Sequence, residues 1–181
     1  MISKADPLFF SGFSLEGEAE LFSEMIDVSP FTVSGFSYGA IKAFEYTVTS
    51  GKRVDRLQLF SPAFFQDKDA KYKRLQLLFF QKNTGSYINS FLKNCALPNH
   101  SDLTPYLKEG SYEELKTLLE YEWKPEHLQS LAKNGTTLEI HLGRQDRIID
   151  AAAALAFFKP YATVYYYNHC GHILKGLIHE S

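Results

Sequence analysis

The sequence predicts an α/β protein built on a mostly parallel sheet, and three observations carry that prediction. Short β-branched or aromatic runs recur along the chain, helical patterns separate them, and Gly, Ser or Pro closes most of them. One stretch, residues 64–134, breaks the alternation with helical patterns only. It reads as a helical cap inserted between two strands, over the carboxyl ends where parallel sheets bind ligands.

The elements follow in order. Leu8-Phe9-Phe10, closed by Ser11-Gly12, reads as a buried strand, and residues 16–26 have helical spacing with Leu21, Phe22, Met25 and Ile26 on one side. Phe31-Thr32-Val33 is a second strand that runs through Ser34-Gly35 into a helix over 38–48. Leu57 to Phe60 is a third strand, stopped by Ser61-Pro62. Within the insertion, helices are expected over 72–80, 86–93, 112–123 and 125–132. A fourth strand at 137–142 ends at Gly143, a helix follows over 151–158, and 162–167 forms the fifth strand. Gly171-His172 is expected to open a final helix.

The chain has 181 residues, 45% hydrophobic and 22% charged, enough for one domain with a substantial core. A net charge of -2 gives no general attraction to nucleic acid or to an anionic membrane. Cys95 and Cys170 lie far apart in a chain too large to need a staple, so a reducing compartment is expected. The start lacks a secretory pattern, and no apolar run approaches the roughly 20 residues that span a bilayer. A cytoplasmic protein is the expectation.

Gly35-Phe36-Ser37-Tyr38-Gly39 matches G-x-S-x-G between a strand and a helix, where a nucleophile elbow must sit. A serine hydroxyl needs a base to take its proton and an acid to orient that base. Asp146, in the loop after the fourth strand, is favoured as the acid over Asp150, whose position before Ala151 suits a helix cap. After the fifth strand, His172 is favoured as the base over His169. A backbone oxyanion hole would use the N–H of Tyr38 and, from the turn after the first strand, that of Phe13. His169, Cys170, His172 and His179 do not have the spacing of a paired-ligand metal site. Neither a metal nor a cofactor is expected.

These features resemble the α/β-hydrolases, in a compact form lacking the first strands. More narrowly the chain resembles, from Phe9 to about Leu174, the BioV-type pimeloyl-acyl-carrier-protein methyl ester esterases. The resemblance is carried by Val33-Ser34-Gly35-Phe36-Ser37-Tyr38-Gly39-Ala40-Ile41-Lys42-Ala43 and by Leu59-Phe60-Ser61-Pro62. In the cap it rests on Lys73-Arg74-Leu75-Gln76-Leu77 and Glu109-Gly110-Ser111-Tyr112-Glu113-Glu114-Leu115, and in the acid loop on Asp146-Arg147-Ile148. Ser11 stands where the wider superfamily usually has histidine. The resemblance implies hydrolysis of a methyl ester at the far end of a pimeloyl chain held on acyl carrier protein, a step of biotin synthesis. Lys68, Lys71, Lys73, Arg74 and Lys82 would then dock the acidic carrier. A thioesterase or general carboxylesterase with the same triad, and a hydrolase-fold binding module without activity, are the competing readings.

Overall fold

A computed structural model describes residues 7–176. Five strands, β1 (Leu8–Phe10), β2 (Thr32–Phe36), β3 (Arg56–Phe60), β4 (Thr137–Gly143) and β5 (Thr163–Tyr167), form one sheet. Their spatial order is their order in the chain, and every pairing is parallel. All carboxyl ends therefore share one edge of the sheet.

The two faces of the sheet differ in chemistry because side chains alternate along each strand. Val33, Leu57, Leu59, Leu138, Ile140 and Leu142 point to one face and are buried. Helices α1 (Tyr38–Thr49), α5 (Pro125–Lys133) and α6 (Ala151–Phe158) pack on the sheet. Trp123 locks two of them together, its ring edge-on to Phe44 of α1 and Phe158 of α6 at 5.2 Å each, while its Nε1–H donates to the Ala63 carbonyl at 2.9 Å. The opposite face carries Ser34, Gln58 and Glu139. Gln58 Nε2 donates to Glu139 at 2.9 Å, and Arg56 bridges Glu139 and Asp27. Beyond that network Phe22 closes the face, stacked on Phe60 at 4.9 Å and tilted against Phe36 at 4.9 Å.

Between β3 and β4 the chain makes three helices before α5, namely α2 (Ala70–Lys82), α3 (Thr84–Ala96) and α4 (Tyr112–Glu120), with α2 packed on both others. Each begins at a side-chain cap: Asp69 accepts from Tyr72 N–H, Asn83 from Ser86 N–H, and Ser111 with Glu114 forms a reciprocal capping box. α5 returns the chain to the sheet and packs on β4.

Three expectations need correction. The helix over 16–26 is only a 3-10 segment at Glu18–Phe22, because Gly17 sits at φ 79° and the Glu18 and Phe22 side chains both turn inward. Leu8–Phe10 is an edge strand rather than a buried one, with Leu8 40% exposed. Residues 171–176 make a turn instead of opening a helix, closed by Leu174 N–H to Gly171 and by a bridge between Cys170 and Gly176. His179 lies outside the described residues. No helix among the described residues is long and apolar enough to cross a membrane.

Candidate active site

The G-x-S-x-G segment turns sharply where β2 meets α1. Ser37 adopts φ 55° and ψ -114°, a conformation non-glycine residues avoid, and the surroundings hold it there. Its N–H donates to Phe60 at 2.9 Å and its carbonyl accepts from Ala63 N–H at 3.1 Å, so the end of β3 grips both sides of the residue. The glycines answer to close packing: a Cβ on Gly39 would sit 1.9 Å from the Phe10 carbonyl oxygen, and one on Gly35 would lie 2.2 Å from that of Gly39.

Opposite the elbow, His172 Nε2 lies 2.9 Å from Ser37 Oγ, and His172 Nδ1 lies 2.6 Å from Asp146 Oδ2. With a neutral imidazole, Nδ1–H donates to the carboxylate and Nε2 accepts the serine proton. The second carboxylate oxygen accepts from the N–H groups of Ile148 and Ile149 at 2.7 and 3.0 Å, which fixes the acid in one orientation. Ser37 is 4% exposed and His172 is fully buried.

The geometry also separates the competitors. Asp150 caps α6 by accepting from Ala153 N–H at 2.9 Å, and His169 is an exposed side chain on the approach to the turn. Gly171 lets the base loop close on the end of α3, where a Cβ would lie 1.7 Å from the Leu97 carbonyl oxygen.

Ser61 is a site residue that sequence reasoning passed over as a strand stop. It is fully buried at φ 43°, and its Oγ–H donates to the His172 carbonyl at 2.5 Å. Its N–H meanwhile donates to His141 at 2.8 Å, so it ties the base loop to the ends of β3 and β4. A single sequence carries no signal for a contact 111 residues away; only the Ser-Pro pair at a strand end marks the position.

Phe13 sits in the turn after β1, its ring 5.5 Å edge-on to Phe91 of α3 and 6.2 Å from Phe80 of α2. Among the described residues, neither the Phe13 nor the Tyr38 N–H has an acceptor in the protein. Beneath the helices lies a cavity of about 230 Å³, lined by Phe65, Tyr72, Phe91, Leu115, Leu119 and Arg147, among others. Of the basic residues singled out in the sequence, Lys71, Arg74 and Lys82 are exposed on α2, and Lys73 is half-buried. Lys73 and Arg74 line a groove that α4 closes on the other side. Lys68 precedes α2 and pairs with Asp67 at 2.8 Å, an interaction that raises its pKa.

Among the described residues there is no group of three or more His, Cys, Asp and Glu side chains able to hold a metal ion. Cys95 and Cys170 are free thiols, and burial pushes both above the usual thiol range, which disfavours the reactive thiolate.

No protein-family model and no curated protein sequence matches the chain. Solved structures do. The naproxen esterase (carboxylesterase NP) of Bacillus subtilis superposes with a TM-score of 0.63 at 15% identity, covering 95% of this chain and 79% of that one. MenH from S. aureus gives 0.59 at 15% identity, with 95% and 88% covered. The esterase EaEST from Exiguobacterium antarcticum gives 0.59 at 16% identity over 78% of this chain, which spans only 59% of that esterase. At these identities the likeness is one of fold, and the chain has the α/β-hydrolase fold.

Proposed function

We propose that the chain is a serine esterase in which Ser37 is the nucleophile, His172 the general base and Asp146 the orienting acid. One observation carries this reading: the unbroken hydrogen-bond chain from Ser37 through His172 to Asp146 at 2.9 and 2.6 Å, seated on a strained elbow. As Ser37 Oγ attacks the ester carbonyl carbon, its proton moves to His172 Nε2, and the imidazolium formed is stabilised by Asp146. The carbonyl oxygen becomes an oxyanion between the Tyr38 and Phe13 N–H groups. Collapse expels the alcohol, which takes the proton from His172 and leaves an acyl-serine. Water, deprotonated by the same nitrogen, then releases the acid.

The narrower part of the proposal is the substrate, the methyl ester of a pimeloyl chain on acyl carrier protein, hydrolysed in the cytoplasm to the free carboxylate and methanol. Support comes from the resemblance in the cap segments and from the cations that α2 presents. Acyl carrier proteins are strongly acidic, and a basic surface beside the site raises the encounter rate. The test is incubation with the purified carrier-bound methyl ester beside a Ser37→Ala control. Methanol release supports the reading, and release of free carrier makes the enzyme a thioesterase. Labelling by a fluorophosphonate without either product keeps the serine hydrolase and removes the substrate.

A further inference from the structure

Glu18 is a buried acid that neither the triad nor the fold accounts for. Its residue is fully buried, its Oε1 accepts from the Gly12 N–H at 2.7 Å, and its Oε2 has no hydrogen-bond partner among the described residues. A carboxylate taken out of water with half its acceptors unused costs stability, and an apolar residue of similar size would avoid that cost. The side chain is therefore poorly explained as a structural brace alone.

Its partner places it at the site. Gly12 immediately precedes Phe13, so the bond from Gly12 N–H to Glu18 fixes the Ser11–Gly12 peptide, one unit before the Gly12–Phe13 peptide from which the Phe13 N–H projects. The rest of the turn is held by other contacts. Gly12 carbonyl accepts from Leu15 N–H at 3.2 Å, and Ser14, at φ 58°, accepts from Lys108 N–H through its carbonyl and from Gly110 N–H through Oγ. Gly17, at φ 79°, is what turns the chain so that the following residue points back beneath the turn.

We infer that Glu18 is a positioning residue for the oxyanion hole: by occupying the Gly12 N–H it holds the Ser11-Gly12-Phe13 turn so that the Phe13 N–H is left facing the developing oxyanion. The inference rests on the serine-hydrolase reading of Ser37 and adds a residue to it. A misaimed donor loses the interaction mainly in the transition state, so kcat falls while KM for a neutral ester changes little.

The experiment uses the full chain with p-nitrophenyl butyrate as substrate and an alkyl trifluoromethyl ketone as inhibitor. The ketone adds to the serine and places an anionic oxygen in the hole. In Glu18→Met, kcat is expected to fall about tenfold or more, the inhibition constant to rise by a similar factor, and KM to change less than about twofold. The melting temperature should change little, since relief of the buried acid is offset by the Gly12 N–H left without an acceptor. Glu18→Gln keeps an oxygen for Gly12 N–H and should stay within about threefold of the wild type. Should Glu18→Met fail to fold, Glu18→Asp, which withdraws the carboxylate by one methylene, is expected to show the same split between kcat and KM. Unchanged kcat and inhibition in a folded Glu18→Met or Glu18→Asp overturns the inference, as does an equal loss in Glu18→Gln. A wild type that neither turns over ester nor takes a fluorophosphonate overturns the serine-hydrolase reading itself, and this one with it.

Discussion

Asp146→Asn should disable the base without disturbing the fold, and the hydrogen bonds around the carboxylate set the size of the effect. Asn can keep the two bonds that Asp146 Oδ1 accepts from Ile148 and Ile149 only by placing its amide nitrogen against His172 Nδ1. An amide nitrogen donates, so the imidazole must accept at Nδ1 and carry its proton on Nε2, where it cannot take one from Ser37. Flipping the amide restores the tautomer but abandons two buried backbone donors, at roughly 1–2 kcal/mol each. The competent arrangement is thus held to about 1 part in 30 to 1 part in 1,000, by the tenfold per 1.4 kcal/mol rule. Loss of the negative charge beside the imidazolium removes about another factor of ten, giving an expected drop in kcat of about 10³-fold. The assay is kcat for p-nitrophenyl butyrate beside a thermal melt, with nitrogen-15 NMR of the imidazole to report the tautomer. A folded Asp146→Asn enzyme with more than about a tenth of the wild-type kcat would refute the reasoning. Asp150→Ala is the control: it should cost about 1 kcal/mol of stability as a lost cap and leave kcat in place.

Other outcomes follow from the same geometry. His172→Ala should lower kcat by about 10⁴-fold or more, while His169→Ala, which alters an exposed side chain, should stay within about twofold; the reverse result in ester turnover would move the base to His169. Lys71 and Arg74, both exposed on α2, reversed together to glutamate should lower kcat/KM on the carrier-bound ester about tenfold at low salt and leave a small soluble ester unaffected. Equal losses on both substrates would mean a damaged fold. A pH effect on stability comes from His141, whose imidazole burial drives down to about 4 against an opposing pull from Glu139. The unfolded chain takes up this proton near pH 6.5 and the folded chain only near 4. Stability from the neutral ring is complete above about pH 6.5 and lost as pH falls toward 4, by roughly 3 kcal/mol. Urea midpoints measured across that window should fall more steeply in the wild type than in His141→Gln, and parallel curves would refute the assignment.

Much of the fold was legible because the residues that make a strand central also make it conspicuous. β3 and β4 place Leu, Ile or Phe at alternate positions and end at Ser-Pro or Gly, β2 runs into the G-x-S-x-G turn, and α6 starts one residue after an Asp that caps it. Errors fell where a tertiary contact outweighed local pattern. Residues 16–26 have helical spacing, yet Glu18 is drawn inward to Gly12 and Phe22 to Phe36 and Phe60, and a regular α-helix gives way. The sequence favoured His172 over His169 as the base, and the contact that separates the two is tertiary. Both follow β5 within a few residues, and only the turn over 171–176 decides which ring reaches back into the protein.

The arrangement of the site explains how a sheet of five strands suffices for it. All strands run parallel in chain order, so their carboxyl ends form one row, and on the proposed reading each end delivers one residue of the site. Phe13 follows β1, Ser37 follows β2, Ser61 follows β3, Asp146 follows β4 and His172 follows β5. Nucleophile and acid are separated by β3, and it is the residue after β3 that binds the base loop through the His172 carbonyl. The same strand end receives the Ser37 N–H at Phe60 and supplies the Ala63 N–H to the Ser37 carbonyl. Nucleophile and base are therefore both tied to the end of β3, while the base loop also rests on the end of α3 at Leu97. On the proposed reading, substrate choice falls to the residues of α2, α3 and α4 that line the cavity, and the chemistry to the loops at the ends of the strands.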